Sequence, residues 1–175
     1  ATMANKGLEV IEAVRLFGVE PERVKVLVHP QSRVHALVRT TDGTLYAQVS
    51  EPDMRVPIQN ALTWPTLEAC SFGRLDLAGA RLEFSEPEKA RYPLLELAYE
   101  ALRSGEGACV AYNAADEVAV EAFRSGGLSY LGIARVVEAV LAGRWPARLA
   151  TFDEVLAADA AARVAARNAA KGIHV

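Results

Sequence analysis

Apolar residues alternate from Val24 to Val49 and fall at helical spacing from Tyr92 to the end, and this separation of periods constrains the fold most. Val24, Val26 and Val28 alternate first, then Val34, Ala36 and Val38, then Leu45, Ala47 and Val49. Asp42-Gly43 lies between the last two runs, a strong hairpin signal. The strands are expected to be half-buried, with one apolar face. Their other face would carry Arg33, His35, Arg39 and Tyr46 toward solvent or a partner.

Helical spacing also opens the chain. Leu8, Ile11, Val14, Leu16 and Phe17 predict a helix from near Asn5 that stops at Gly18. A helix starting almost at residue 1 leaves no room for a preceding element. Pro57 suits the first turn of a short helix through Leu62, which Trp64-Pro65 ends. Residues 65–90 contain Pro65, Gly73, Gly79 and Pro87, with strand-like pieces at Leu75–Leu77 and Leu82–Phe84. They read as an extended connection between two bodies. Beyond it, helices are expected near Pro93–Arg103, Ala108–Phe123 and Ile133–Leu141, each followed by a glycine. The last opens with Thr151-Phe152-Asp153-Glu154, a capping-box pattern, and runs to about Ala170. Four helices with short loops suggest a bundle, so the class is α+β.

Composition removes several function classes. The chain has 175 residues, 51% hydrophobic and 23% charged, enough to bury a core. Its net charge of −3 gives no basic footprint for nucleic acid. No apolar run reaches the roughly 18 residues a membrane span needs, and no leader pattern opens the sequence. Cys70 and Cys109 form no CxxC motif and read as small buried hydrophobes of a reducing cytosol.

Four constellations can carry chemistry. Asn5, Lys6 and Glu9, with Glu12 beyond, fall within one or two turns of the first helix. An amide and an ammonium at a helix start suit an oxyanion such as phosphate, and Glu9 suits a hard divalent cation. The same residues also describe a solvated helix start. His29-Pro30-Gln31-Ser32 follows an apolar strand; His29 is either an acid, base or donor, or a loop histidine bonded to backbone. Glu51-Pro52-Asp53-Met54-Arg55 is either a carboxylate pair for acid–base or metal work, or a rigid turn with an internal Asp–Arg pair. Asn113 to Glu117 interrupts an apolar helix and favours a structural role. GxGxxG, the P-loop, GxSxG and HExxH are all absent.

These constellations occur in this order in one family. The sequence resembles the C-terminal part of 1-deoxy-D-xylulose 5-phosphate reductoisomerase. The resemblance runs through ATMANKGLEVIEA (1–13), VLVHPQS (26–32), DGTLYAQVSEPDMRVPI (42–58), RYPLLELAYEAL (91–102) and YNAADEVAVEAF (112–123). It is weakest at 65–90 and in the last helix.

The resemblance implies a rearrangement of 1-deoxy-D-xylulose 5-phosphate and its reduction by NADPH to 2-C-methyl-D-erythritol 4-phosphate. That is a step of the non-mevalonate route to isoprenoids. It implies a divalent cation (magnesium, manganese or cobalt), inhibition by fosmidomycin-type compounds, a cytoplasmic homodimer, and no nucleic-acid or membrane partner. Residue by residue, Glu9 matches a metal-binding carboxylate. Asn5 and Lys6 match groups that bind the substrate phosphate or its neighbouring oxygens. His29 matches the active-site histidine, so Lys6 and His29 are the candidate catalytic groups. Pro52 and Met54 match a segment lining the nicotinamide side.

The implied domains are 1–64, the C-terminal portion of the catalytic domain; 65–90, a linker; and 91–175, a C-terminal helical domain. The family's NADPH domain, its other two metal carboxylates, a phosphate-binding serine and a closing flap have no counterpart in this sequence. The expectation is therefore a fragment inactive by itself. The alternative is a truncated, non-catalytic dimerisation or interaction module.

Overall fold

The computed structural model describes residues 2–173. Residue 1 and residues 174–175, the ends of the matched N-terminal stretch and of the expected helical domain, lie outside the described residues. Two compact units form: Ala1–Val26 with Pro87–Val175, and Leu27–Glu86.

The larger unit is helical. It contains α1 (Ala4–Phe17), a 3-10 turn (Pro21–Arg23), α3 (Pro93–Ser104), α4 (Glu106–Arg124), α5 (Tyr130–Leu141) and α6 (Phe152–Gly172). The core is Leu94, Leu95, Ala98, Ala111, Tyr112, Ala114, Ala115, Val136, Val137 and Val140, with Ala162 and Ala166 from α6. Alanines at the facing positions of α4 and α6 let two helix backbones approach closely. The interface thus gains dispersion contacts with little side-chain entropy loss.

The division cuts across the expected 1–64 segment, because α1 packs on the C-terminal helices. Gly7 is the reason it can. A Cβ there would lie 2.6 Å from Tyr112 Oη and 2.8 Å from Ala98 Cβ, closer than real side chains come. The buried Tyr112 hydroxyl donates to the Leu94 carbonyl at 3.0 Å, with the Ala4 carbonyl at 3.4 Å. Burial pushes the Tyr112 phenol well above its ordinary pKa.

The helix ends follow their chemistry. Gly18 closes α1 in the left-handed region at φ 61°, donating its N–H to the Val14 carbonyl. Thr151 caps α6 by accepting from the Glu154 N–H at 3.2 Å. The Glu154 carboxylate reaches back to the Ala150 N–H at 2.6 Å, a capping box displaced by one residue. Helix α5 starts three residues earlier than periodicity suggested, because Ser129 caps it by accepting from the Gly132 N–H. Among the described residues no helix is long and apolar enough to cross a membrane.

The smaller unit holds β1 (Val34–Arg39), β2 (Leu45–Val49) and α2 (Arg55–Thr63). β1 and β2 pair antiparallel, Val38 opposite Tyr46, with a register irregularity between Val34 and Ala36. The Asp42 carboxylate organises the turn. It accepts from the Thr40 hydroxyl at 2.5 Å and the Thr44 N–H at 2.9 Å, and these bonds hold its pKa below the ordinary carboxylate value. Gly43 follows at φ 89°, which favours glycine.

Three sequence expectations need correction here. The strands are not half-buried: Val38 is 60% exposed on one face and Leu45 49% on the other. The register pairs Tyr46 with Val38 and Leu45 with Arg39, so Tyr46 does not share the arginine face. Alternation identified the strands, but the register puts Val38 and Leu45 on opposite faces, so the two alternating sets do not merge into one apolar face. Val24–Val28 is not a ladder strand. The Val24 carbonyl accepts from the Tyr99 hydroxyl at 2.8 Å, and only Val28 makes a bridge, to Ser85. Leu75–Leu77 and Leu82–Phe84 likewise join no strand. Residues 83–85 instead fold back on 28–31, so this part of the connection is tied down by hydrogen bonds.

Candidate active site

At the start of α1, helical geometry brings Asn5, Lys6 and Glu9 to one carboxylate. Asn5 Nδ2 donates to Glu9 Oε1 at 2.7 Å, and Lys6 Nζ lies 2.5 Å from Glu9 Oε2. The spacings of four and three residues place the three side chains on one face. Lys6 and Glu9 are 45% and 46% exposed, so water screens the pair and it adds little to stability. Glu12 is exposed further along the helix. The cluster is chemically open: a hard carboxylate, an ammonium and an amide, none committed to the core. Among the described residues no three His, Cys, Asp or Glu side chains come together to hold a metal.

In the smaller unit His29 is held from two sides. Its Nδ1 lies 2.8 Å from the Glu83 carbonyl, and its ring stacks on Phe84 at 4.6 Å and 13°. Its Nε2 is buried and has no hydrogen-bond partner among the described residues. Gln31 and Glu83 pair side chain to side chain at 2.8 Å.

Glu51-Pro52-Asp53-Met54-Arg55 folds as a rigid turn. Arg55 Nε and Nη2 grip the Asp53 carboxylate at 3.0 and 2.6 Å, and its own N–H reaches the same group at 2.9 Å. These bonds keep the Asp53 pKa below its ordinary value. Asp53 is thus held as the internal partner of Arg55 in an Asx turn that leads into α2. The Arg55 guanidinium also lies 4.4 Å over the Phe72 ring. This bracing leaves Met54 71% exposed and Pro52 exposed, an apolar edge open to a ligand.

Asn113 to Glu117 lies inside α4 and works as structure. Asn113 Nδ2 donates to Glu117 Oε1 at 3.2 Å, and Arg163 of α6 bridges Glu117 and Asp159, each at 2.7 Å. Asp116 is the costly member. Its Oδ1 is buried and has no partner among the described residues. Burial, and then the Glu117 charge, push its pKa up to about 6. The folded protein thus holds the Asp116 proton more tightly than the unfolded chain, whose value is near 3.8. Its favourable contribution is present below pH 3.8 and lost as pH rises through 6.

Asp116→Asn should therefore stabilise the fold at pH 7.5. We expect about 1–2 kcal/mol, below the full linkage value because the group is partly solvated. The gain should shrink to nothing by about pH 3, below the unfolded value. Urea unfolding at both pH values checks this; an equal gain at both would contradict it.

Sequence reasoning missed the Gln31–Glu83 pair and Phe84, which lie in a segment read as a connection. It also missed the Gly7–Tyr112 contact. The only available signals were the glycine inside an otherwise good helix and the lone tyrosine of an alanine-rich one.

These features define an α+β protein with an exposed amide–ammonium–carboxylate cluster at the start of α1 and, in its smaller unit, a braced histidine. The chain belongs to the family described as the DXP reductoisomerase C-terminal domain, whose model matches residues 49–165. The 1-deoxy-D-xylulose 5-phosphate reductoisomerase of Bordetella petrii is 53% identical over 172 residues, covering 96% of this chain and 43% of that protein. The solved reductoisomerase from Zymomonas mobilis in complex with NADPH superposes with a TM-score of 0.91 at 40% identity, covering 98% of this chain and 46% of that one. A DOX-P reductoisomerase structure in complex with NADPH, fosmidomycin and magnesium gives 0.88 at 36% identity, covering 98% and 44%. The chain thus spans less than half the length of these relatives.

Proposed function

We propose that this chain is the C-terminal part of a 1-deoxy-D-xylulose 5-phosphate reductoisomerase. As part of the whole enzyme it rearranges 1-deoxy-D-xylulose 5-phosphate and reduces it to 2-C-methyl-D-erythritol 4-phosphate in non-mevalonate isoprenoid biosynthesis. Residues 1–64 belong to the catalytic domain, 65–90 connect, and 91–175 form the C-terminal helical domain. The observation that carries the reading is the Asn5–Lys6–Glu9 cluster, an exposed amide and ammonium converging on one carboxylate.

Glu9 is one ligand of a magnesium, manganese or cobalt ion, and residues outside this sequence supply the others. When bound, the cation polarises the substrate's vicinal oxygens and NADPH supplies the hydride. Were the Glu9 carboxylate to hold a cation, the Lys6 ammonium beside it would be available to the substrate phosphate, with Asn5 donating next to it. His29 takes or gives a proton at Nε2. Met54 and Pro52 present the apolar edge against which the nicotinamide ring rests.

The protein is cytoplasmic, takes fosmidomycin-type inhibitors at the same site, and engages neither nucleic acid nor membrane. It forms a homodimer, for which the open apolar residues of β1 and β2 are the natural surface. Sedimentation at tens of micromolar, where modest interfaces associate, should give a dimer; a clean monomer would count against it.

The activity is tested with a chimera joining the upstream part of the Bordetella petrii relative to this chain. It should oxidise NADPH when given the sugar phosphate and manganese. A folded chimera that stays silent would contradict the assignment.

A further inference from the structure

We propose that Gln31 and Glu83 are positioning residues for His29, holding its ring as the Nδ1–H tautomer and leaving Nε2 as a bare acceptor. The tautomer follows from geometry alone; only its consequence for turnover rests on the proposed function.

A main-chain carbonyl can only accept, so the Nδ1 atom 2.8 Å from the Glu83 carbonyl carries the proton. In the neutral ring Nε2 then has a lone pair and no hydrogen. That atom is buried and unpartnered among the described residues, a costly state that a ligand hydroxyl would relieve.

The carbonyl that selects the tautomer is itself fixed. Gln31 Oε1 accepts from the Glu83 N–H at 3.1 Å, and Gln31 Nε2 donates to Glu83 Oε2 at 2.8 Å. One side chain thus grips residue 83 by its backbone and its carboxylate. Beyond it, Val28 and Ser85 exchange two backbone hydrogen bonds of 2.8 and 3.0 Å. The Phe84 ring, nearly parallel to the imidazole, sets the ring plane. Gln31 stands two residues from His29 but 52 from Glu83, so the clamp joins distant parts of the chain at the histidine.

The test is the pattern of ring nitrogen shifts in the labelled chain at a pH where His29 is neutral. Its resonances are identified by their loss in His29→Gln. Nδ1 should appear protonated and Nε2 unprotonated. Gln31→Leu removes both bonds of the clamp and should give a mixture in which the Nε2–H form is the larger. Gln31→Glu combined with Glu83→Gln keeps the backbone bond and rebuilds the side-chain bond with its donor reversed, and should restore the original pattern. In the chimera, Gln31→Leu should lower kcat/KM roughly 10- to 100-fold, the range for losing a group that orients a functional histidine. The double swap should recover it.

A native ring protonated on Nε2, or a folded Gln31→Leu with an unchanged pattern, overturns the clamp. A shifted tautomer with unchanged turnover instead overturns the active-site reading of His29. If Gln31→Leu does not fold, the native tautomer and the double swap still decide.

Discussion

Glu9→Gln in the chimera should lower turnover by about 100-fold or more while leaving its unfolding curve nearly unmoved. The two halves of that expectation have separate physical causes. Glutamine keeps the length and shape of the side chain, and its carbonyl oxygen can still accept from Asn5 or Lys6. What is lost is an exposed, solvent-screened ion pair, which contributes about 0–1 kcal/mol. Catalysis responds differently. A hard divalent cation is held by charged oxygens, and a neutral amide at one of few ligand positions weakens both the binding and the placement of the ion. A loss of about 100-fold corresponds to about 2.7 kcal/mol of transition-state stabilisation, a modest share of what a metal supplies in such sites. Because Lys6 pairs with the Glu9 carboxylate, Glu9→Gln removes the charge that holds the ammonium and loosens it. Substrate affinity should therefore fall less than kcat. The measurement is a manganese titration of NADPH oxidation, read beside urea unfolding. Near-normal turnover with only slightly raised metal demand would show that Glu9 is not a direct ligand.

Local chemistry was legible in the sequence where it was strong. Gly18 ends α1, Asp42-Gly43 turns the hairpin, and the Thr151–Glu154 box opens α6. The helix-start cluster was legible too, because spacings of three and four residues decide which side chains meet on a helix. Alternation misled at Val24–Val28. A strand needs a partner, and there the Tyr99 hydroxyl takes the Val24 carbonyl instead. Half-burial misled as well, because alternation reports what a strand face prefers and not what covers it. The clamp on His29 was illegible for a different reason: Gln31 and Glu83 are ordinary polar residues 52 positions apart, and only the fold brings them together. Gly7 showed the same limit in reverse. A glycine in mid-helix signals a cost, but the tyrosine that repays it by close approach lies in another helix.

A motif carries roles only together with the rest of the enzyme. That dependence gives the largest expected effect of all: by itself this chain should not turn over. The reaction needs a cation held by several carboxylates, and here one carboxylate is offered. It needs NADPH held against the substrate, and the sequence has no dinucleotide fingerprint. It needs reactants held in orientation, and losing that alone removes about 7–11 kcal/mol of barrier lowering. These deficits fall on one site and need not add, yet any one is enough to silence the assay. The most direct test follows NADPH absorbance with 1-deoxy-D-xylulose 5-phosphate and manganese, first with this chain alone and then with the upstream part of the Bordetella petrii relative added in trans. The account predicts no rate above the blank in the first case and a metal-dependent rate in the second. NADPH consumption by this chain alone would contradict it.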